Sequence, residues 1–278
     1  MGNEAIADTV VLIHGLWMTP LSWEHWVTRY EKRGLKVVTP AYPGIKPGEA
    51  GVAAIRNDPS PLGGLGVQTI VDHLTEVIKG LDSRPIVMGH SFGGAFVQLL
   101  LDAGLGSAGV SIDGAGVKGI KALPFPQIRT TFPVLKNPAN RNRAVPVTHK
   151  QWHYGFANNL TVEESKPYFE RYAIPVSGRM VFQAGFANFT AKSPMTVNLA
   201  NNDRAPLLFI AGGNDHAVPA AVQRENYRKA AKKSAAVTAF KLFDGRDHFT
   251  CGEAGWEDVA DLALDWALAP QPGDLDQG

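Results

Sequence analysis

A chain of 278 residues, 45% apolar and 19% charged, is long enough to bury a sizeable core and has the profile of an ordinary globular protein. Its 27 basic and 26 acidic residues leave a net charge of +1, and no basic run interleaves with aromatics, so nothing supports nucleic-acid binding. The single cysteine, Cys251, excludes an internal disulfide and a cysteine-built metal site, and no run of about 18 apolar residues reads as a membrane span.

The opening residues, Met1 to Asp8, lack the basic start and apolar stretch of a signal peptide, so a cytoplasmic protein is the expectation. Without a secretion signal, Asn159-Leu160-Thr161 and Asn188-Phe189-Thr190 read as chance matches to the glycosylation pattern. Along the chain, short apolar runs alternate with amphipathic stretches, which predicts parallel strands joined by helices. Val10 to Ile13 is a buried-strand run ending at His14-Gly15. Ser22 is placed to cap a helix whose Trp23, Trp26, Val27 and Tyr30 share one face, closed by Gly34. Lys36 to Pro40 reads as a second strand, turned by Pro43-Gly44, and the Gly- and Pro-rich stretch 45–65 is expected to be a loop. Val67, Ile70, Val71, Leu74, Val77 and Ile78 fall at i, i+3, i+4 spacing and predict a helix over 67–79, ended by Gly80.

Residues 85–94, Pro-Ile-Val-Met-Gly-His-Ser-Phe-Gly-Gly, run from an apolar strand through a small-x-Ser-x-small turn into a helix. That is the layout of a nucleophile elbow, in which a strained turn lifts the Ser91 hydroxyl clear of the sheet. Gly89 and Gly93 must lack bulk there because strand and helix approach closely, and Gly94 lets the helix pack. Ala108 to Asp113 gives another buried strand.

At about residue 116 the rhythm breaks. Residues 116–205 are rich in prolines and aromatics without strand alternation, and read as an insertion at the C-terminal edge of the sheet, where open α/β folds bind ligands. The core is thus expected over 1–115 and 206–269. Its second part holds a strand at 206–211, a helix near 218–232, a strand at 237–243 and a helix at 256–268. The tail 270–278 is expected to be disordered.

A serine hydroxyl needs an adjacent base, and that histidine needs a carboxylate to fix its tautomer. In this architecture the order is Ser, acid, His, with the acid after a late strand and the histidine after the last. Asp215 ends the 207–211 strand through Gly212-Gly213-Asn214, and His248 follows the last strand in Asp244-Gly245-Arg246-Asp247-His248-Phe249. Asp113 is a rival acid and His216 a rival base, while Asp244 and Asp247 read as solvated loop carboxylates. His14, His90 and His153 read as structural or pocket-lining. His25, His73 and His149 show no metal spacing, so no metal site is expected. Acyl transfer also needs donors for the developing oxyanion. The backbone N–H of Phe92 should supply one, and that of Leu16 the other, with Trp17 as the alternative.

Ile13-His14-Gly15, Gly89-His90-Ser91-Phe92-Gly93-Gly94, Gly213-Asn214-Asp215 and Asp247-His248-Phe249, in that order and context, resemble the α/β-hydrolase fold family. The resemblance implies a mainly parallel sheet with helices on both faces and a lid or cap over the active site, here 116–205. It departs from the family in that the two antiparallel strands that usually open the fold are short or absent before Val10. The aromatic content of 116–205 points to an apolar pocket, with Trp17, Phe92, Trp152, His153 and Tyr154 expected to face substrate.

The expected activity is cofactor-free serine hydrolysis of carboxylic esters or lactones through an acyl-enzyme, with activity rising as His248 loses a proton at about pH 6–7. The expected partner is a small apolar ester. The same triad serves C–C bond, amide or thioester hydrolysis, perhydrolysis and cyanohydrin lysis. A non-catalytic ligand receptor is the alternative from another class.

Overall fold

A computed structural model describes residues 7–276. Strand β1 (Thr9–Ile13) leads through a 3-10 turn (Pro20–Trp23) into helix α1 (Glu24–Lys32), and β2 (Lys36–Val38) follows. Next come α2 (Gly48–Asn57), α3 (Ser60–Gly63) and α4 (Val67–Lys79), then β3 (Ile86–His90), α5 (Phe92–Asp102) and β4 (Ala108–Ile112). The following stretch holds α6 (Phe125–Leu135), β5 (Ala144–Val145), α7 (His149–Phe156), α8 (Val162–Tyr172), β6 (Val176–Ser177) and α9 (Gly178–Gly185). The chain then runs through β7 (Leu207–Gly212), α10 (Ala220–Lys233), β8 (Thr238–Phe243), α11 (Trp256–Leu268) and β9 (Gly273–Asp274).

Seven strands form one parallel sheet in the order β2-β1-β3-β4-β7-β8-β9, and β5 and β6 pair antiparallel apart from it. The central strands read as continuous apolar runs because both sheet faces are covered. Val11, Ile13 and Val87 point to the side of α4, α5 and α10, and Val10, Leu12, Ile86 and Met88 to that of α1 and α11. On the α1 side, Trp23, Trp26 and Tyr30 are fully buried against Val259 and Leu264. Trp152, Phe156, Tyr172 and Met180 of the segment after β4 join the same hydrophobic cluster as Ile13 and Phe96. This is the mainly parallel sheet with helices on both faces that the sequence predicted. No antiparallel strand precedes β1 among the described residues, and Met1 to Ile6 lie outside them. Among the described residues no helix is long and apolar enough to cross a membrane.

Two local expectations are corrected. Residues 45–65 contain two helices rather than a loop: Val52 and Ile55 are buried three apart, and the lack of a side chain at Gly51 lets α2 close on the Lys46 carbonyl. Ser22 is not a helix cap. The Thr19 side chain accepts from the Leu21 amide and starts the 3-10 turn, while the Ser22 hydroxyl donates to the Thr19 carbonyl at 2.9 Å. Of the tail, residues 270–276 are described, and Gln277 and Gly278 lie outside the described residues. The Leu275 amide donates to the Phe240 carbonyl at 2.9 Å, and Asp274 and Asp276 meet Arg224 and Lys241 at 3.2 and 2.9 Å.

Candidate active site

The polypeptide reverses at Ser91 with φ +57° and ψ −120°, the strained turn demanded by a strand running straight into a helix. The turn is fixed by its own amide donating to the Ile112 carbonyl at 2.9 Å, while its carbonyl accepts from Gly94 and Ala115. Close approach dictates the flanking glycines. A Cβ on Gly89 would sit 2.2 Å from the Gly93 carbonyl oxygen, and one on Gly93 would sit 2.2 Å from that of Ile13.

Asp215 stands in the turn after β7, where Oδ1 accepts the amides of Ala217 and Val218 at 2.7 and 2.8 Å. These donors orient the carboxylate, leaving Oδ2 to meet His248 Nδ1 at 2.7 Å. His248 Nε2 lies 2.8 Å from Ser91 Oγ. The hydroxyl, imidazole and carboxylate thus form one continuous hydrogen-bonded line, with all three residues buried. Burial pushes His248 well below its ordinary value, so the free ring is neutral with a lone pair toward Ser91. Burial also raises the Asp215 carboxyl, while the two backbone donors work against that rise and favour the anion.

Neither rival is hydrogen-bonded into the line from Ser91 to Asp215. Asp113, fully buried with φ +46°, accepts the Gly212 amide on Oδ1 at 2.6 Å, and burial raises its carboxyl well above the ordinary range. His216 Nδ1 pairs with the Tyr154 carbonyl at 3.0 Å. Among the described residues, His90, Asp113 and His248 bring ligand atoms within 4.8 Å of one another. Both ring nitrogens of His248 are already engaged, so an ion there would break its contacts with Ser91 and Asp215.

Three residues steady His248, a role the sequence reading gave to none of them. His90 Nε2 donates to the His248 carbonyl at 2.7 Å, and the Phe156 ring stands edge-on to the imidazole at 4.7 Å. Asp247 is not solvated: it is fully buried, accepting the Phe249 amide at 2.9 Å and the Asn159 amide at 3.0 Å. Burial raises its carboxyl to about 7. Its position beside His248 was the available signal. Its amide partners, one of them 88 residues away, were not visible.

Leu16, Trp17, Ser91 and Phe92 line one cavity of about 820 Å³, whose wall also includes residues of α6 and α9. A Cβ on Gly15 would fall 2.6 Å from Ser91 Cβ, so the turn after β1 passes directly against the serine. Among the described residues the backbone N–H groups of Leu16, Trp17 and Phe92 meet no protein acceptor. Trp152, His153 and Tyr154 are not in the cavity wall, contrary to expectation. Trp152 is fully buried, stacked on Phe156 at 5.5 Å and packed against Phe249, and Arg129 covers the Tyr154 ring at 3.8 Å. Thr131, Phe132, Val181 and Ala184 take their place in the wall.

No curated protein matches the sequence. Solved structures do. A pyrethroid hydrolase from Sphingobium faniae JZ-2 superimposes with a TM-score of 0.64 at 19% identity, over 95% of this chain and 98% of that one. A monoacylglycerol lipase of Paleococcus ferrophilus gives 0.63 at 18%, over 94% and 95%. A carboxylesterase structure from the thaumarchaeon Nitrososphaera gargenis gives 0.64 at 16%, over 96% and 92%. At these identities the likeness is one of fold. The model of the alpha/beta hydrolase family matches residues 10–262, nearly the whole chain, and the chain belongs to that family.

Proposed function

We propose that this protein is a serine hydrolase of apolar carboxylic esters, working without a cofactor through an acyl-enzyme. The observation that carries the reading is the line from Ser91 Oγ to His248 Nε2 at 2.8 Å and from His248 Nδ1 to Asp215 Oδ2 at 2.7 Å, with Ser91 in the wall of an apolar cavity. Ser91 Oγ attacks the ester carbonyl as its proton passes to His248 Nε2, and the imidazolium is stabilised by Asp215. The negative oxygen faces the free N–H of Phe92 and that of Leu16 or Trp17, donors worth roughly 3–4 kcal/mol each in comparable sites. Collapse breaks the C–O bond and His248 protonates the departing alcohol. Water then attacks the acyl-serine, giving its proton to His248, and the acid leaves as Ser91 is restored.

A serine, rather than an aspartate, at the elbow favours hydrolysis through an acyl-serine over the dehalogenase and epoxide-hydrolase chemistries of the same fold. The segment 116–205 acts in this reading as a cap that shapes the pocket, since α6 and α9 supply its outer wall. The neighbouring structures, named for pyrethroid hydrolysis, monoacylglycerol lipolysis and carboxylester cleavage, accord with an ester substrate. The test is turnover of p-nitrophenyl acetate, butyrate and octanoate by wild type and Ser91→Ala. Turnover that disappears in the variant is expected, with the chain-length preference sizing the pocket. Equal rates in both proteins, or none in wild type, would remove ester hydrolysis and bring C–C bond cleavage or a receptor role forward.

A further inference from the structure

Helix α6 wears its apolar residues on the outside. Phe125, Ile128, Arg129, Phe132 and Lys136 follow the spacing of a single helix face, and all five are exposed, Phe125 at 71% and Phe132 at 57%. Val134, the residue this helix buries, lies on the opposite side. Leu123 just before the helix and Phe189 (85% exposed) continue the apolar surface, and Leu123, Ile128, Phe132 and Phe189 also form the lip of the cavity that holds Ser91. Large exposed aromatics clustered at one opening are far from the scattered singles expected on a soluble surface.

The charge around this lip is mainly positive. From Gly114 to Val162 the sequence carries seven basic residues and no acidic one, in a chain whose overall charge is only +1. Lys118 and Lys121 stand in the cavity wall, and Arg129 and Lys136 on the exposed face of α6. Among the described residues none of these four pairs with a carboxylate. The nearby acid, Glu225, is taken up by Lys229 and by the amides of Lys121 and Ala122.

We infer that the cavity mouth, built from α6 and the Ala187–Phe189 turn, docks on an anionic lipid surface. An apolar face flanked by cations that meet no carboxylate has the composition of an interfacial helix: the aromatics enter the acyl boundary while Lys136 and Arg129, the latter stacked on Tyr154, meet lipid phosphates. Docked this way, the lip faces the membrane, and an amphiphile can slide its chain into the cavity without crossing water. The docking rests on the surface alone and holds whatever bond the triad breaks.

The experiment is co-sedimentation with vesicles of phosphatidylcholine alone and of an equimolar phosphatidylcholine–phosphatidylglycerol mixture. It compares wild type, Ser91→Ala and the double variant Phe125→Ser/Lys136→Glu, whose positions lie outside the cavity wall. Binding of wild type and Ser91→Ala to the mixed vesicles is expected, with about tenfold weaker binding to phosphatidylcholine alone or in high salt. The double variant should lose about tenfold or more on the mixed vesicles while its melting temperature and soluble-ester turnover stay unchanged. Absence of binding to either vesicle, or equal binding by the double variant, would overturn the proposal. So would a concentration-dependent dimer in sedimentation velocity that the double variant abolishes, since a second copy would then cover this face.

Discussion

The hydroxyl, imidazole and carboxylate of Ser91, His248 and Asp215 are already aligned, so each substitution among them has a separable consequence. Ser91→Ala removes the proposed nucleophile without disturbing the turn, and should cut kcat by about 10⁴-fold or more with the melting temperature nearly unchanged. Asp215→Asn keeps the shape but loses the charge that holds the His248 tautomer, and a drop of about 10⁴-fold in kcat is expected. Asp113→Asn tests the rival. Its Oδ1 serves the Gly212 amide and not the imidazole, and asparagine tolerates its positive φ, so turnover should stay within about tenfold of wild type. A loss at Asp113 equal to that at Asp215 would mean that the assigned acid is wrong. In the proposed mechanism the neutral imidazole is the active form, and burial lowers its pKa. The acid limb of kcat/KM should therefore fall below the ordinary imidazole value of 6.5, on the acid side of the 6–7 the sequence alone suggests. A midpoint above 6.5, measured under chemistry-limited conditions, would contradict this. That these three residues come together was legible because each stands at the C-terminal end of a strand, in a glycine-bearing turn that brings it to one sheet edge. Asp247 was not, since a carboxylate in a turn of charged residues reads as solvated until the amides that bury it are known.

Among the elements, α2 and the loop of His248 separate what periodicity can show from what it cannot. Helix α4 and helix α11 were readable to the residue because their apolar stripes are long and unbroken. Helix α2 was hidden by its glycines, and Gly51 explains why one is needed: a Cβ there would fall 1.8 Å from the Lys46 carbonyl oxygen. Replacing a mid-helix glycine with alanine ordinarily gains up to about 1 kcal/mol. Here the sign should reverse, with Gly51→Ala costing roughly 1–3 kcal/mol through overpacking. At the exposed Ala53 of the same helix, Ala53→Gly should cost about 1 kcal/mol, as it would only if the segment is helical. Chemical denaturation of the two variants checks both signs. In the loop, Asp247→Ala would leave the buried amide of Phe249 without its acceptor, and about 1–3 kcal/mol of stability should go with it.

Over the whole molecule, the segment between β4 and β7 is tied down at several points. The Arg56 guanidinium donates to the carbonyls of Phe169, Glu170 and Ala173, Arg171 meets Glu24 and Glu49, and the Val67 amide donates to Gln183. That this stretch departs from the α/β rhythm was visible in sequence. Which of its aromatics face the cavity was not, because composition carries no direction. Trp152 and Phe156 turn inward onto Phe249 and His248, whereas Phe132 and Phe189 reach the cavity lip. With Ala184 of α9 in the wall, Ala184→Trp should fill part of the 820 Å³ cavity. The kcat/KM ratio of octanoate to acetate should then fall roughly tenfold. The most direct test of the central claim is covalent trapping. Wild type would be inactivated with an organophosphate ester, and its peptides mapped by mass spectrometry as activity falls. One phosphoryl group per chain, on Ser91, with hydrolysis lost in proportion, is the predicted result. Label on another residue with hydrolysis abolished, or Ser91 fully labelled with hydrolysis intact, would contradict the account.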